Sequence, residues 1–305
     1  MAFRRHTWFK VFLIFFLLLP MAFSILVSQF GIKTGILRRS TLDTFNSFRL
    51  DIIPIDVILQ LWFHLVVYIW HLTWIIYVIF CVFRETTCAY VYELPVYPST
   101  MLALMAVNLF VHGGWLIAFD QYILEGCLIL SIVLLVTLSV SLCLSYIHLH
   151  TLDTLMRRLQ LGKDIWIIRI LIHECLAFYG SLLTISTILN LCMCMTFRWG
   201  IGHDLSCLIA LSLMAAAMFT CSFLDIVMFY HYTQWTFSPY VVYIATVCGM
   251  LYRSYDLRLR YSLSVFLVAL LVFASLALGT KLAWLGYRLC MEHHKKEKPL
   301  LESHS

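Results

Sequence analysis

His64, Tyr68 and His71 fall at i, i+4 and i+7, and Trp70, Trp74 and Tyr77 follow at similar intervals. On a helix that spacing draws a polar, aromatic stripe along one face. Such a stripe suits a flat apolar ligand, with ring faces supplying contact area and imidazole or phenol groups supplying orientation. It suits equally a seam in which His and Trp side chains satisfy one another between helices. A metal shared by His64 and His71 alone is disfavoured, because seven residues rise about 10 Å along a helix axis.

A second group, Arg169, His173 and Glu174, lies within an otherwise apolar stretch that ends with a lone Asn190. Arg169 and His173 at i, i+4 are expected neighbours, with the arginine free to snorkel toward a membrane surface. Glu174, if buried, needs a partner or a proton, so it reads either as a paired structural acid or as a proton-relay or substrate contact. Asp225 sits inside an apolar run at an insertion cost of about 2.5–3.5 kcal/mol. It is either a proton- or ion-linked group or an acid near enough to its span's end to reach the headgroups.

Soluble-enzyme chemistry has no signature here: GxSxG, HExxH, a Gly-rich phosphate loop followed by Lys, and a spaced carboxylate pair are all missing from the sequence. The expectation is a non-enzyme without a cofactor. Eleven cysteines without a CxxC pair suggest neither a zinc site nor a disulfide framework. They read as small buried hydrophobes.

These residues have to be positioned by membrane helices. The chain is 62% hydrophobic and only 12% charged, with a mean hydropathy of +0.91, against about 45–50% and about 25% in soluble domains. Its partner is therefore a lipid bilayer. The net charge of +5 is carried mainly by connecting segments and the C-terminal tail, without the basic, aromatic-interleaved surface that nucleic acid requires.

Apolar runs predict an all-α integral membrane protein, a multi-span helical bundle with about eight transmembrane helices: 11–30, 54–83, 99–119, 126–149, 165–197, 205–230, 239–252 and 261–282. The first follows Arg4, Arg5 and Lys10 and exceeds a signal-peptide core in length, so an uncleaved span is expected. The second is expected to open at Pro54. Gly113 and Gly114 in the third would let a neighbouring helix come close. The segment after the fourth, with His148, His150, Arg157, Arg158 and Lys163, reads as a polar cytoplasmic loop. The fifth, with its buried ionisable groups, is expected to be the interior helix. The seventh is short for a crossing. Eight spans put both termini on one face, and the Lys and Arg distribution favours the cytoplasm for that face by a small margin; which membrane is left open.

Three spans, in order, resemble the translocator protein/tryptophan-rich sensory protein family, five-helix membrane proteins that bind porphyrins, sterols and similar flat ligands. In the fifth span Tyr179, Thr184, Leu189 and Asn190 keep the family's spacing, with Leu182 at the position of a family tryptophan. In the second, Tyr68 matches, with His64 in place of a tryptophan. In the third, Trp115 and Phe119 match, with His112 in place of an asparagine. The chain is also similar to animal multi-span proteins that carry an extended Tyr-x-Trp-x-x-x-Trp-x-x-Tyr pattern, here Tyr68, Trp70, Trp74 and Tyr77.

The resemblance implies a translocator-like five-span region at 1–197, three additional spans at 198–290 and a polar tail at 291–305. It further implies a cavity between spans two, three and five, lined by His64, Tyr68, His112, Trp115, Tyr179 and Asn190, that binds, senses or passes a sterol- or porphyrin-like molecule. The alternatives are a seven- or eight-span receptor and a proton-coupled secondary transporter working through Glu174 or Asp225.

Overall fold

A computed structural model describes residues 7–39, 44, 57–85, 90–256 and 261–302. They form eight principal helices: α1 Trp8–Phe30, α2 Val57–Val82, α3 Ser99–Asp120, α4 Leu124–Arg158, α5 Gly162–Phe197, α6 His203–Met228, α7 Ser238–Asp256 and α8 Tyr261–Glu302. Among the described residues seven helices are long and apolar enough to cross a membrane, and the short apolar helix Ser238–Tyr252 stands where the seventh span was expected. The molecule is an all-α multi-span bundle and reads as an integral, multi-pass membrane protein. The expected opening of α2 at Pro54 lies outside the described residues.

Helix α5 is the interior element. Its apolar stretch is 61% buried, against 28% for α4 and α6 and 22% for α8, and α2, α4, α6 and α7 all pack on it. Helix α3 is nearly as enclosed because α1 and α4 cover it from two sides. Polar side chains fix these seams. Asn108 of α3 donates to the Leu134 carbonyl and to Thr137 Oγ1 of α4, both at 2.8 Å. Ser24 of α1 donates to the Leu109 carbonyl of α3 at 2.5 Å. Of the glycine pair, Gly113 has the Phe23 ring of α1 against the place a Cβ would occupy, whereas Gly114 faces open space. Close approach therefore concerns Gly113 alone.

Ion pairs and capping groups close the two ends of the bundle. At the end where α2 finishes, Asp164 accepts from both guanidinium nitrogens of Arg84, at 2.6 and 2.8 Å, and from the Tyr77 hydroxyl at 2.7 Å. Hydrogen bonding to that carboxylate holds the Arg84 guanidinium above its usual range. At the opposite end Asp120 receives the backbone N–H groups of Arg38 and Arg39 at 3.0 and 2.9 Å, and Arg198 pairs with Glu125 at 3.0 Å.

Two expectations need correction. The segment after the fourth span is not a loop from His148 onward: α4 continues through Arg158. An Arg157–Asp153 pair at i, i+4 supports that extension. Only 159–161 turn, with Gln160 at φ 60°. Arg169 and His173 do not pair either. Residues Arg169–His173 form a π-helical turn in which the Glu174 N–H reaches back to the Arg169 carbonyl, so the i, i+4 register is lost. Arg169 turns to Asp153 at 3.7 Å, and His173 places Nε2 3.0 Å from Ser145 Oγ.

The cysteines divide. Cys81, Cys127, Cys175, Cys192, Cys194 and Cys207 are buried, while Cys143, Cys221, Cys248 and Cys290 are exposed, and all of these are free. The Sγ atoms of Cys192 and Cys207 lie 3.9 Å apart across the α5–α6 seam.

Candidate functional site

Helices α2, α3 and α5 bring most of the expected site together around His112. Its ring stacks at 6.2 Å on His64 and at 6.4 Å on Trp115, and meets Tyr68 and Tyr179 edge-on at 5.8 and 6.2 Å. The Tyr68 hydroxyl lies 3.4 Å from His112 Nδ1, at the outer limit for a hydrogen bond. Trp115 extends the stack onto Phe119 at 5.1 Å.

Helical periodicity explains the convergence. His64, Tyr68 and His71 share a face of α2, and His112, Trp115 and Phe119 share a face of α3. Tyr179 fills the gap from the most buried part of α5.

The space that these rings enclose is a cavity of about 50 Å³, lined by His64, His112, Trp115 and Tyr179 with Phe63, Val67, Leu182, Ile185 and Ser186. Helix α4 adds Ser131 and Leu134, and α7 adds Thr246 and Met250. Tyr68 and Asn190 do not line it. Tyr68 is held behind His112, and Asn190 is buried on α5 with neither amide atom hydrogen-bonded.

Three polar groups in or beside this wall lack partners: the Trp115 indole N–H, the Asn190 amide and His71 Nε2. For His71 the tautomer follows from geometry. Its Nδ1 lies 2.9 Å from the Val67 carbonyl and 3.4 Å from Cys175 Sγ, so the proton belongs on Nδ1 and the unpaired Nε2 is an acceptor. Buried polar atoms are normally satisfied, so a cluster of exceptions needs a reason.

No protein-family model, curated protein or solved structure matches the chain. Its chemistry has to be read from its own side chains.

A second polar cluster lies between α5, α6, α7 and α8. Lys281 of α8, 1% exposed, donates to Asp225 Oδ2 at 2.6 Å, to the Thr233 carbonyl at 3.0 Å and to the Thr236 carbonyl. The Tyr240 hydroxyl donates to the same Asp225 oxygen at 2.7 Å. Asp225 itself sits in a second π-helical turn, Leu224–Met228. That turn carries the carboxylate toward α8 rather than out to the headgroups.

Glu174 is used differently. Its two carboxylate oxygens accept the backbone N–H groups of Phe237 and Ser238, at 2.8 and 2.9 Å, and the Ser238 hydroxyl returns a bond to the Glu174 carbonyl at 2.9 Å. The fifth span thereby caps the N-terminus of α7, whose dipole favours the negative charge. Glu174→Ala removes two charge-assisted bonds and should cost about 1.5–3 kcal/mol. Thermal unfolding in detergent checks this, with α7 expected to lose protection from hydrogen exchange first.

The sequence reading passed over two of these residues. His71 was seen in the stripe but not placed in the site, although its i+7 relation to His64 puts it two turns further along the same face. Lys281 falls at the end of the expected last span, 261–282. Because α8 runs on to Glu302, that lysine is inside the bundle. A basic residue within an apolar run and an unmatched intramembrane Asp225 are the two halves of one signal.

Proposed function

We propose that the protein holds a small, mostly apolar molecule with a hydrogen-bonding group inside the bundle, at the His112-centred cavity between α2, α3 and α5. One observation carries this reading. Four residues on three separate helices, His64 marked by spacing and His112, Trp115 and Tyr179 by the family resemblance, line one cavity whose surroundings hold unpaired polar atoms. A ligand acceptor supplies the Trp115 indole N–H with its missing partner, and the rings supply contact area.

Size sets the limits. About 50 Å³ accommodates a few heavy atoms, far below the roughly 300–1,000 Å³ of ordinary ligand pockets. A sterol or porphyrin therefore requires the wall to move. Phe63, His64, Leu182 and Ser186 are the half-exposed part of that wall, on α2 and α5, so the route opens to the lipid side between these two helices. The translocator-like reading takes the same form: a flat ligand enters from the bilayer as α2 moves away from α5. Binding that shifts α2 serves sensing, and binding with release on either face serves passage.

The test is a thermal-shift screen of the detergent-purified protein against flat compounds graded from indole to a sterol and a porphyrin. Stabilisation follows RT ln(1 + [L]/Kd), about 2.7 kcal/mol at a hundredfold excess over Kd. The expected result is a shift from compact ring compounds bearing a polar group, with larger compounds acting only if α2 opens. No shift across the whole series would overturn the reading.

A proton-coupled transporter is the second reading, favoured by the Asp225–Lys281 pair at membrane depth and by the two π-helical turns beside it, a feature common at functional sites. Both Glu174 oxygens are engaged in capping α7, so coupling would fall to Asp225. Uptake into liposomes that depends on a pH gradient and is lost in Asp225→Asn would favour it over binding without flux.

A further inference from the structure

A cavity away from the aromatic site lies where α4 ends and α5 begins. It measures about 520 Å³ and is lined by three arginines, Arg157, Arg169 and Arg288, against a single carboxylate, Asp153. Asp153 is already shared, at 2.7 Å from Arg157 and 3.7 Å from Arg169. Arg288 has no carboxylate in this lining and lies over the Tyr230 and Trp284 rings at 5.5 and 5.2 Å. Arg169 lies over Trp166 at 5.2 Å, and Trp166 meets Trp235 edge-on at 4.8 Å. Tryptophans grouped with arginines at a helix end mark the headgroup level of a bilayer.

Tyr146, its hydroxyl 2.7 Å from Thr236 Oγ1, stands between this vestibule and a second cavity of about 240 Å³ lined by α4, α5, α6 and α7. That cleft is mainly apolar, floored by Gly180 and Thr184 of α5, and Ser139 on its α4 side is exposed. Its carboxylate, Asp225, is neutralised by Lys281, and nearby Glu174 is spent on the N-terminus of α7. Among the described residues, no uncompensated carboxylate lines the vestibule.

We propose that vestibule and cleft form one site for a phosphate-bearing amphiphile, its headgroup on Arg157, Arg169 and Arg288 and its acyl chain in the cleft between α4 and α6. Guanidinium forks match phosphate oxygens in bidentate geometry, and the cleft gives the chain a path toward the lipid. None of these residues lines the aromatic cavity, so the two sites stand or fall separately.

The test uses the full chain in a neutral detergent and a fluorescent lysophosphatidic acid as probe, displaced by unlabelled lysophosphatidic acid, by a monoacylglycerol of the same chain, or by inorganic phosphate. Lysophosphatidic acid is expected to compete about tenfold or more better than the monoacylglycerol, as charge-assisted bonds imply, with inorganic phosphate weaker than both. Arg169→Gln and Arg288→Gln should each weaken the probe by about tenfold. Because Arg288 is exposed and has no ion pair in the lining, its variant keeps the test valid should Arg169→Gln fold poorly. Ser139→Trp should weaken long-chain but not short-chain probes. Equal competition by the monoacylglycerol, inorganic phosphate competing as well as the lipid, or unchanged affinity in both arginine variants would overturn the proposal.

Discussion

Lys281→Met is expected to destabilise the folded protein by about 3–5 kcal/mol, because it strands Asp225 as a buried charge with no cation. All three ammonium donors are in use, on Asp225 Oδ2 and on the carbonyls of Thr233 and Thr236, so the variant also frees two carbonyls. Removing both charges changes the sign of the argument. In Asp225→Leu/Lys281→Met neither member of the pair is left as an unpartnered ion, and most of the loss should return, less the cost of the Tyr240 hydroxyl that Asp225 now satisfies. Thermal or denaturant unfolding of the two single variants and the double variant in one detergent gives the coupling directly. If the effects of the single variants merely add, the pair does not form.

Trp115→Ala carries the second large effect. Trp115 is 4% exposed and sits between His112 and Phe119 in the stack, so truncation leaves a void beside an existing one. Large-to-small changes of this kind cost about 3–5 kcal/mol in soluble cores. The value here should lie near the lower end, since an unfolded side chain in lipid or detergent already avoids water and what is lost is packing. The same change enlarges the cavity. The variant should therefore unfold at lower temperature yet accept larger flat compounds than the parent, which thermal shifts against the graded series would reveal. Lower stability with an unchanged size preference would mean that Trp115 does not set the cavity's width.

How much of this was legible in the sequence follows from what each signal depends on. Spans follow from apolar length alone: seven of the eight expected segments fall on helices long and apolar enough to cross a membrane, the eighth falls on the shorter apolar helix of α7, and α4 and α8 run well past their expected ends. His64, Tyr68, His112 and Trp115 gather; spacing marked the two α2 residues, whereas the two on α3 were named by the family resemblance. Tyr68 and Asn190 were expected at the cavity surface and lie behind it, because a one-residue rotation about a helix axis moves a side chain about 100° and periodicity does not resolve that. The pairing of Asp225 with Lys281 joins residues 56 apart on different helices, and nothing local encodes it. The π-helical turns were also hidden. An inserted residue shifts the register without leaving a compositional trace, which is why Arg169 and His173 part.

The measurement that bears most directly on the proposed ligand cavity is an equilibrium titration of indole into the detergent-purified protein and into Ser186→Trp. Ser186 lines the cavity and is half-exposed, so the larger ring can occupy the space without being forced into the closed core. Saturable binding by the parent, lost in Ser186→Trp while its unfolding temperature is retained, is the predicted result. Indole bound equally by both proteins, or by neither in a saturable way, would contradict a ligand site among α2, α3 and α5.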